Sequence, residues 1–278
     1  MASGDVAICL DLSAGGRATS WRVGDLELLG SNNGHPVANG MYPMAPWAGR
    51  LRGNRCEIDG NVHTFPVNFE GWAIHGTIFT EQVEVVEVTE SAATCLARLR
   101  CALQPPWSGW VEMLWKLDER CLHTEIEVLS EGPTFPADVG WHPWFNRSLN
   151  RGGLICGGLA EWELPGAALA TRDAEGLLSG NIVPLVDTQG PYDDAFHVPA
   201  ATGKLTWPGA LSLTIVNSHP WFVVYDELVG FVLVEPQTGP PNGISEPVIG
   251  SVNMVSPDRP LLMVTDWWMT REWLSVQP

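Results

Sequence analysis

Apolar and polar residues alternate with a period of two through the middle of this chain. Cys95, Ala97, Leu99, Cys101 and Leu103 interleave with Arg98 and Arg100. Val111, Met113, Trp115 and Leu117 alternate with Glu112, Lys116 and Asp118, and Leu122, Thr124, Ile126 and Val128 alternate with His123, Glu125 and Glu127. Successive side chains of a strand point to opposite faces, so this pattern predicts half-buried β-strands. The last two runs flank Glu119-Arg120-Cys121, a hairpin connection. Glu81–Glu90 continues the pattern, and Leu211–Val216, Trp221–Tyr225, Phe231–Val234 and Leu261–Val264 are apolar runs of strand length. The 29 glycines and 22 prolines punctuate these runs and leave no long helical period. Ala167–Leu178 has helix formers but contains Gly176, which predicts a loop or a short helical turn. Many strands joined by Gly/Pro turns imply a large antiparallel β protein, a sandwich or barrel. No repeat or linker divides it, so a single domain over residues 1–278 is the simplest organisation.

Charge narrows the partners. A formal net charge of −17, from 32 acids against 15 bases, disfavours nucleic acid and anionic membranes. No run of about 18 apolar residues predicts a membrane helix. The N-terminus lacks the basic segment and apolar run of a leader, so the expectation is a cytoplasmic protein. The six cysteines form neither a Cys-x-x-Cys pair nor a zinc-finger pattern, and are expected to be reduced and mostly buried.

Three segments carry proton-transferring side chains among aromatics, Gly or Pro: Ala73-Ile74-His75-Gly76, Gly140-Trp141-His142-Pro143-Trp144-Phe145, and Val234-Glu235-Pro236-Gln237-Thr238-Gly239-Pro240-Pro241-Asn242. Two histidines and a glutamate can move protons near neutral pH if a fold gathers them. They are also a possible two-His, one-carboxylate metal set, although their spacing does not require one. Taken in order, the segments resemble the aldose 1-epimerase (galactose mutarotase) family. So does Pro43–Arg52, similar to that family's Arg-bearing stretch, and Tyr192-Asp193-Asp194-Ala195-Phe196, which stands where the family has a sugar-binding aspartate. Thr77 departs from the common His-Gly-Gly form.

The resemblance implies an all-β fold, a large antiparallel β-supersandwich of the galactose mutarotase type. It implies an isomerase that interconverts the α and β anomers of a free aldose by ring opening and reclosure. Glu235 would be the general base and His142 the general acid; His75, Arg50 and Asp193 would bind the sugar, with Asp194 competing for the role of Asp193. Trp72, Trp141 and Trp144 are candidate sugar platforms, whereas Trp21, Trp110 and Trp115 read as packing residues. The family uses neither metal nor cofactor. The expected partner is a monosaccharide, and the expected assembly a monomer or homodimer. Two alternatives share the fold: a hexose-6-phosphate 1-epimerase drawing on Arg50, Arg52 and Arg55, and a non-catalytic sugar-binding protein. A glycoside hydrolase fits less well, since it usually uses two carboxylates where only one is embedded in a motif here.

Overall fold

The computed structural model describes residues 1–32, 34–91, 93–185, 190–245, 250 and 252–272. Two antiparallel sheets dominate it. The larger has twelve strands and runs, from one edge, through Ala2–Ser3, Val6–Asp11, Arg17–Val23, Met41–Met44, Gly140–Pro143, Phe231–Gln237, Trp221–Tyr225, Asp193–His197, Ala168–Arg172 and Leu178–Pro184; Leu26–Glu27 and Phe145–Asn146 pair alongside. The second has eight strands, in the order Glu161–Glu163, Thr202–Trp207, Leu211–Asn217, Leu261–Arg271, Cys121–Ser130, Gly109–Leu117, Cys95–Ala102 and Glu84–Glu90. This is the antiparallel supersandwich expected.

The alternating runs behave as their period requires. Cys95–Ala102 and Gly109–Leu117 pair in register, and Gly109–Leu117 turns into Cys121–Ser130 with Leu117 opposite Leu122. Asp118 closes that turn, its carboxylate accepting from the backbone N–H of Arg120 and Cys121. The apolar faces of both sheets meet in one core. Trp21 lies edge-on to Trp267 with centroids 6.0 Å apart, Trp115 edge-on to Trp141 at 4.6 Å, and Phe145 edge-on to Trp207 at 6.0 Å, each pair joining one sheet to the other. Burial of each such side chain stabilises by roughly 1.5–3 kcal/mol or more. Four of the six free cysteines are buried, and burial pushes the thiols of Cys56 and Cys121 up to about 12.

Two expectations change. Glu84–Glu90 is an edge strand exposed on both faces, not half-buried, with a bulge between Val85 and Glu87. Ala167–Leu178 is neither loop nor helical turn: Ala168–Arg172 pairs with Leu178–Pro184 as a hairpin, and Gly176 supplies the positive φ of its turn. Among the described residues no helix is long and apolar enough to cross a membrane.

Candidate active site

Neighbouring strands in the middle of the larger sheet carry the site. Tyr42 stands directly opposite His142, and Glu235, Val223 and Ala195 form a cross-strand row. Two residues along, Tyr225 and Asp193 continue the same face. These side chains, Tyr42 excepted, line a cavity of about 830 Å³ together with His75, Arg50, Trp144 and Gln237.

His142 and Glu235 form its floor, only 5% and 3% exposed. Nε2 of His142 lies 3.4 Å from Oε1 of Glu235. Burial is the largest influence on both and favours their neutral forms. It lowers His142 to about 3, helped by the nearby Arg17 cation. It raises Glu235 well above the usual carboxylate range; Asp193 adds to that, while Gln237 and Arg50 oppose it.

His75 is clamped by Gly49. Its N–H donates to the Gly49 carbonyl at 3.1 Å, and its Nδ1 accepts the Gly49 N–H at 3.3 Å. An accepting Nδ1 assigns the neutral ring's proton to Nε2, making His75 a donor. Its φ is +62°, a left-handed conformation that this reciprocal clamp holds in place. Gly76 is equally constrained: with φ +78°, a Cβ there would stand 1.8 Å from the Ala45 carbonyl oxygen. Thr77, at φ −120°, needs no glycine, which accounts for the departure from His-Gly-Gly.

Arg50 and Asp193 meet at 3.4 Å. Arg172 approaches Asp193 at 3.9 Å and Asp194 at 2.9 Å, so both acids of the Tyr-Asp-Asp segment lie at the cavity and both face arginine. Arg52 instead binds Asp173 at 2.5 Å and Glu175 at 2.6 Å, tying down the hairpin loop that forms one cavity wall. Its backbone N–H donates to Asn242 Oδ1 at 2.7 Å, which fastens the Pro-rich loop after Glu235 to the Arg50 stretch. Arg55 is exposed and lines no part of the cavity.

The tryptophans divide. Trp144 lines the cavity, its indole N–H donating to the Val37 carbonyl at 2.8 Å. Trp141 does not. Adjacent strand residues face opposite ways, so with His142 in the cavity Trp141 must point into the core, where it is 0% exposed against Trp115. It is a packing residue and not a sugar platform. Trp72 is half-buried and also lies outside the cavity lining; it packs behind the turn containing Phe69.

Three further residues shape the site without having been singled out. Tyr42 stacks on His142 with centroids 4.6 Å apart and rings 14° from parallel. Arg17, 2% exposed, places its guanidinium 4.4 Å from the centroid of Tyr42. Gln237 donates Nε2 to Glu235 Oε2 at 3.2 Å, and its own Oε1 is buried with no partner among the described residues. Gln237 could have been found from its position, two residues beyond Glu235 and hence on the same strand face. Among the described residues no group of three or more His, Cys, Asp or Glu side chains is placed to hold a metal ion.

The architecture has solved counterparts. A galactose mutarotase-like protein from Clostridium acetobutylicum superposes with a TM-score of 0.81 at 13% identity, covering 98% of this chain and 94% of its own. A galactose mutarotase-like protein from Lactobacillus casei gives 0.75 at 14%, covering 97% and 99%. Galactose 1-epimerase from Lactobacillus acidophilus gives 0.73 at 15%, covering 98% and 93%. At these identities the likeness is one of fold. No curated protein matches the chain by sequence. The family model for aldose 1-epimerase matches residues 12–228, a span that includes Arg50, His75, His142 and Asp193 and stops short of Glu235. On a match over most of its length, the chain belongs to the aldose 1-epimerase family.

Proposed function

We propose that this chain is a mutarotase that interconverts the α and β anomers of a free aldose, with Glu235 as base and His142 as acid. The observation that carries this reading is the buried His142–Glu235 pair, 3.4 Å apart on the floor of a sugar-sized cavity. The anomeric hydroxyl and the ring oxygen are both bonded to C1. The groups that serve them must therefore be neighbours, and these two are.

The pair holds one proton to exchange. In the free site burial favours that proton on Glu235 and a neutral His142. Its transfer to Nε2 gives a carboxylate and an imidazolium without changing the net charge. A bound sugar stabilises that form, because its C1 hydroxyl donates to the carboxylate and its ring oxygen accepts from the imidazolium. Glu235 then takes the hydroxyl proton, the C1–O5 bond breaks, and His142 protonates O5. The aldehyde rotates about C1–C2, and reclosure reverses both transfers. His75 Nε2–H, Arg50 and Asp193 hold hydroxyls, and the partnerless Gln237 Oε1 is a further acceptor.

The cavity lining favours an uncharged sugar over a phosphorylated one. Among the described residues Arg50 and Arg172 are its only cations, against the acids Glu70, Asp193, Asp194, Glu227 and Glu235. Arg52 is committed to Asp173 and Glu175. Because both sheets share one apolar core, we read residues 1–278 as a single domain serving this site.

Saturation-transfer NMR on glucose, galactose, xylose and arabinose tests the reading. Acceleration by the wild type and not by Glu235→Gln is the expected result. A folded wild type that accelerates none of them overturns it.

A further inference from the structure

Arg17 is a buried cation held by neutral groups. Among the described residues its guanidinium donates to two backbone carbonyls, that of Asn39 and, at 3.2 Å, that of Phe79. Burying a charge among neutral partners is costly, and an apolar side chain would fill the same space without that cost. Arginine does not escape by losing its proton. The position of this charge, directly behind the cavity floor, gives it a use.

The guanidinium carbon lies 4.4 Å from the ring centroid of Tyr42, and Tyr42 stacks in turn on His142, with centroids 4.6 Å apart. The three groups form one column. Met41–Met44 supplies its middle: Ala18, next to Arg17, pairs with Met41, and Tyr42 pairs with His142. The Val37 carbonyl anchors it, accepting the Tyr42 O–H at 2.9 Å and the Trp144 N–H at 2.8 Å. Burial keeps the Tyr42 phenol protonated, so the ring between the two bases carries no charge of its own.

A histidine ring is ordinarily oriented by a hydrogen bond at the nitrogen away from the chemistry. In His142 that nitrogen, Nδ1, is buried with no hydrogen-bond partner among the described residues. Stacking on Tyr42 takes the place of that bond. The other titratable groups around the ring are Glu235 at 3.4 Å, His75 with its centroid 4.6 Å away, and Arg50 and Asp193 in the cavity lining. Arg17 adds to burial in favouring the neutral ring, and the backbone of His142 itself opposes them.

We infer that Arg17 and Tyr42 are positioning residues for the acid: Tyr42 fixes the plane of the His142 ring against Glu235, and the fixed charge of Arg17 behind it drives the proton from Nε2 to the ring oxygen. The inference rests on the mutarotase reading above. In the sugar complex Nε2 carries the proton received from Glu235. When the C1–O5 bond breaks, its electron pair stays on O5 and takes that proton, while the C1 hydroxyl proton passes to Glu235. The imidazolium becomes neutral and its repulsion by Arg17 ends. Arg17 therefore raises the energy of the bound state more than that of the transition state.

The test is anomer exchange of a monosaccharide from about pH 3 to 9, in the wild type, Arg17→Gln, Arg17→Lys and Tyr42→Leu, with melting temperatures to confirm folding. Gln keeps a donor for the carbonyls without the charge, and Lys keeps the charge. Arg17→Gln should lower kcat about tenfold while KM stays or falls, the split expected when ground-state repulsion is removed. Its acid limb of kcat/KM, where the pair gains a second proton at His142, should move up by about one pH unit, because no cation then opposes that proton. The alkaline limb should stay in place, and Arg17→Lys should return the acid limb to its wild-type position and kcat to within about threefold. A fall in kcat with the acid limb unmoved, or Gln and Lys variants that behave alike, would give Arg17 a packing role and overturn the inference alone. Tyr42→Leu carries the test if Arg17→Gln does not fold: kcat should drop about tenfold with KM within about threefold, and an unchanged kcat overturns the inference. No exchange of any sugar by the folded wild type overturns the mutarotase reading and this inference with it.

Discussion

Two carboxylates, Glu235 and Asp138, are each 3% exposed, and their surroundings differ. Asp138 accepts from Asn253 Nδ2 at 2.7 Å and from the Thr238 hydroxyl at 3.2 Å, with Gly239 and Gly243 leaving it just enough room. Burial still lifts it to about 7, against the pull of those two donors. Glu235 has one donor, Gln237, a negative neighbour in Asp193, and an imidazole across from it. Asp138 is closed in by neutral partners and braces the loop that follows Glu235. Glu235 instead faces the cavity with a single neutral donor and an imidazole beside it. Burial alone therefore does not separate these two carboxylates; the kind of partner does.

The sharpest way to break this contrast is to neutralise each carboxylate. Glu235→Gln should cut turnover by about 10²–10⁴-fold while sugar affinity stays within about tenfold, since proton transfer is lost and shape is kept. Anomer exchange and equilibrium binding measure the two separately, and near-normal turnover would remove Glu235 as the base. Arg50→Ala comes next. On the proposed reading it removes a donor to the sugar and a cation that favours the Glu235 carboxylate, so KM should rise about tenfold or more and the alkaline limb of kcat/KM, where the pair loses its one proton from Glu235, should move to higher pH. An unchanged KM would count against Arg50 as a ligand.

Asp138→Asn should leave turnover within a few-fold and act on stability instead. The folded value of Asp138, about 7, lies above its unfolded value of 3.8. Its contribution is therefore fully present below about pH 4 and is lost as pH rises through about 7, by at most about 1.4 kcal/mol per pH unit. Urea midpoints at pH 5 and pH 8 should show a smaller pH dependence in the variant; identical slopes would contradict the assignment. The smallest effect expected is from Asp193→Asn, which removes the negative neighbour of Glu235. The alkaline limb should shift to lower pH by under about one unit, in a rate profile from pH 4 to 9. A shift upward would show that Asp193 acts on Glu235 mainly by holding Arg50.

The strands were legible where one face is buried and the other wet, as in Cys95–Ala102, Gly109–Leu117 and Cys121–Ser130. Glu84–Glu90 misled because its valines belong to an uncovered edge, and periodicity does not reveal which strand ends a sheet. The hairpin containing Arg172 was missed because its short apolar stretches carry no clear period. At the site, the segments around His75, His142 and Glu235 stood out because each sets its titratable residue among Gly, Pro or aromatics. Trp141 was misassigned although alternation forbids it and His142 from sharing a face. Arg17 and Tyr42 were illegible for a different reason: the stacking of Tyr42 on His142, with Arg17 over Tyr42, depends on Met41–Met44 pairing with Gly140–Pro143 across about a hundred residues. The commitment of Arg52 to Asp173 and Glu175 is equally long-range.

The alternation of Trp141 and His142 along one short strand also bears on how the protein fails. The same backbone that aims His142 at the cavity drives Trp141 into the seam between the sheets. Displacing the imidazole by moving this strand would pull a fully buried indole out of the core. Heat should therefore abolish activity and tertiary structure in one transition, with no folded but inactive form between them. The amide of His142, which lies within the paired strand, should exchange its hydrogen only through that global opening.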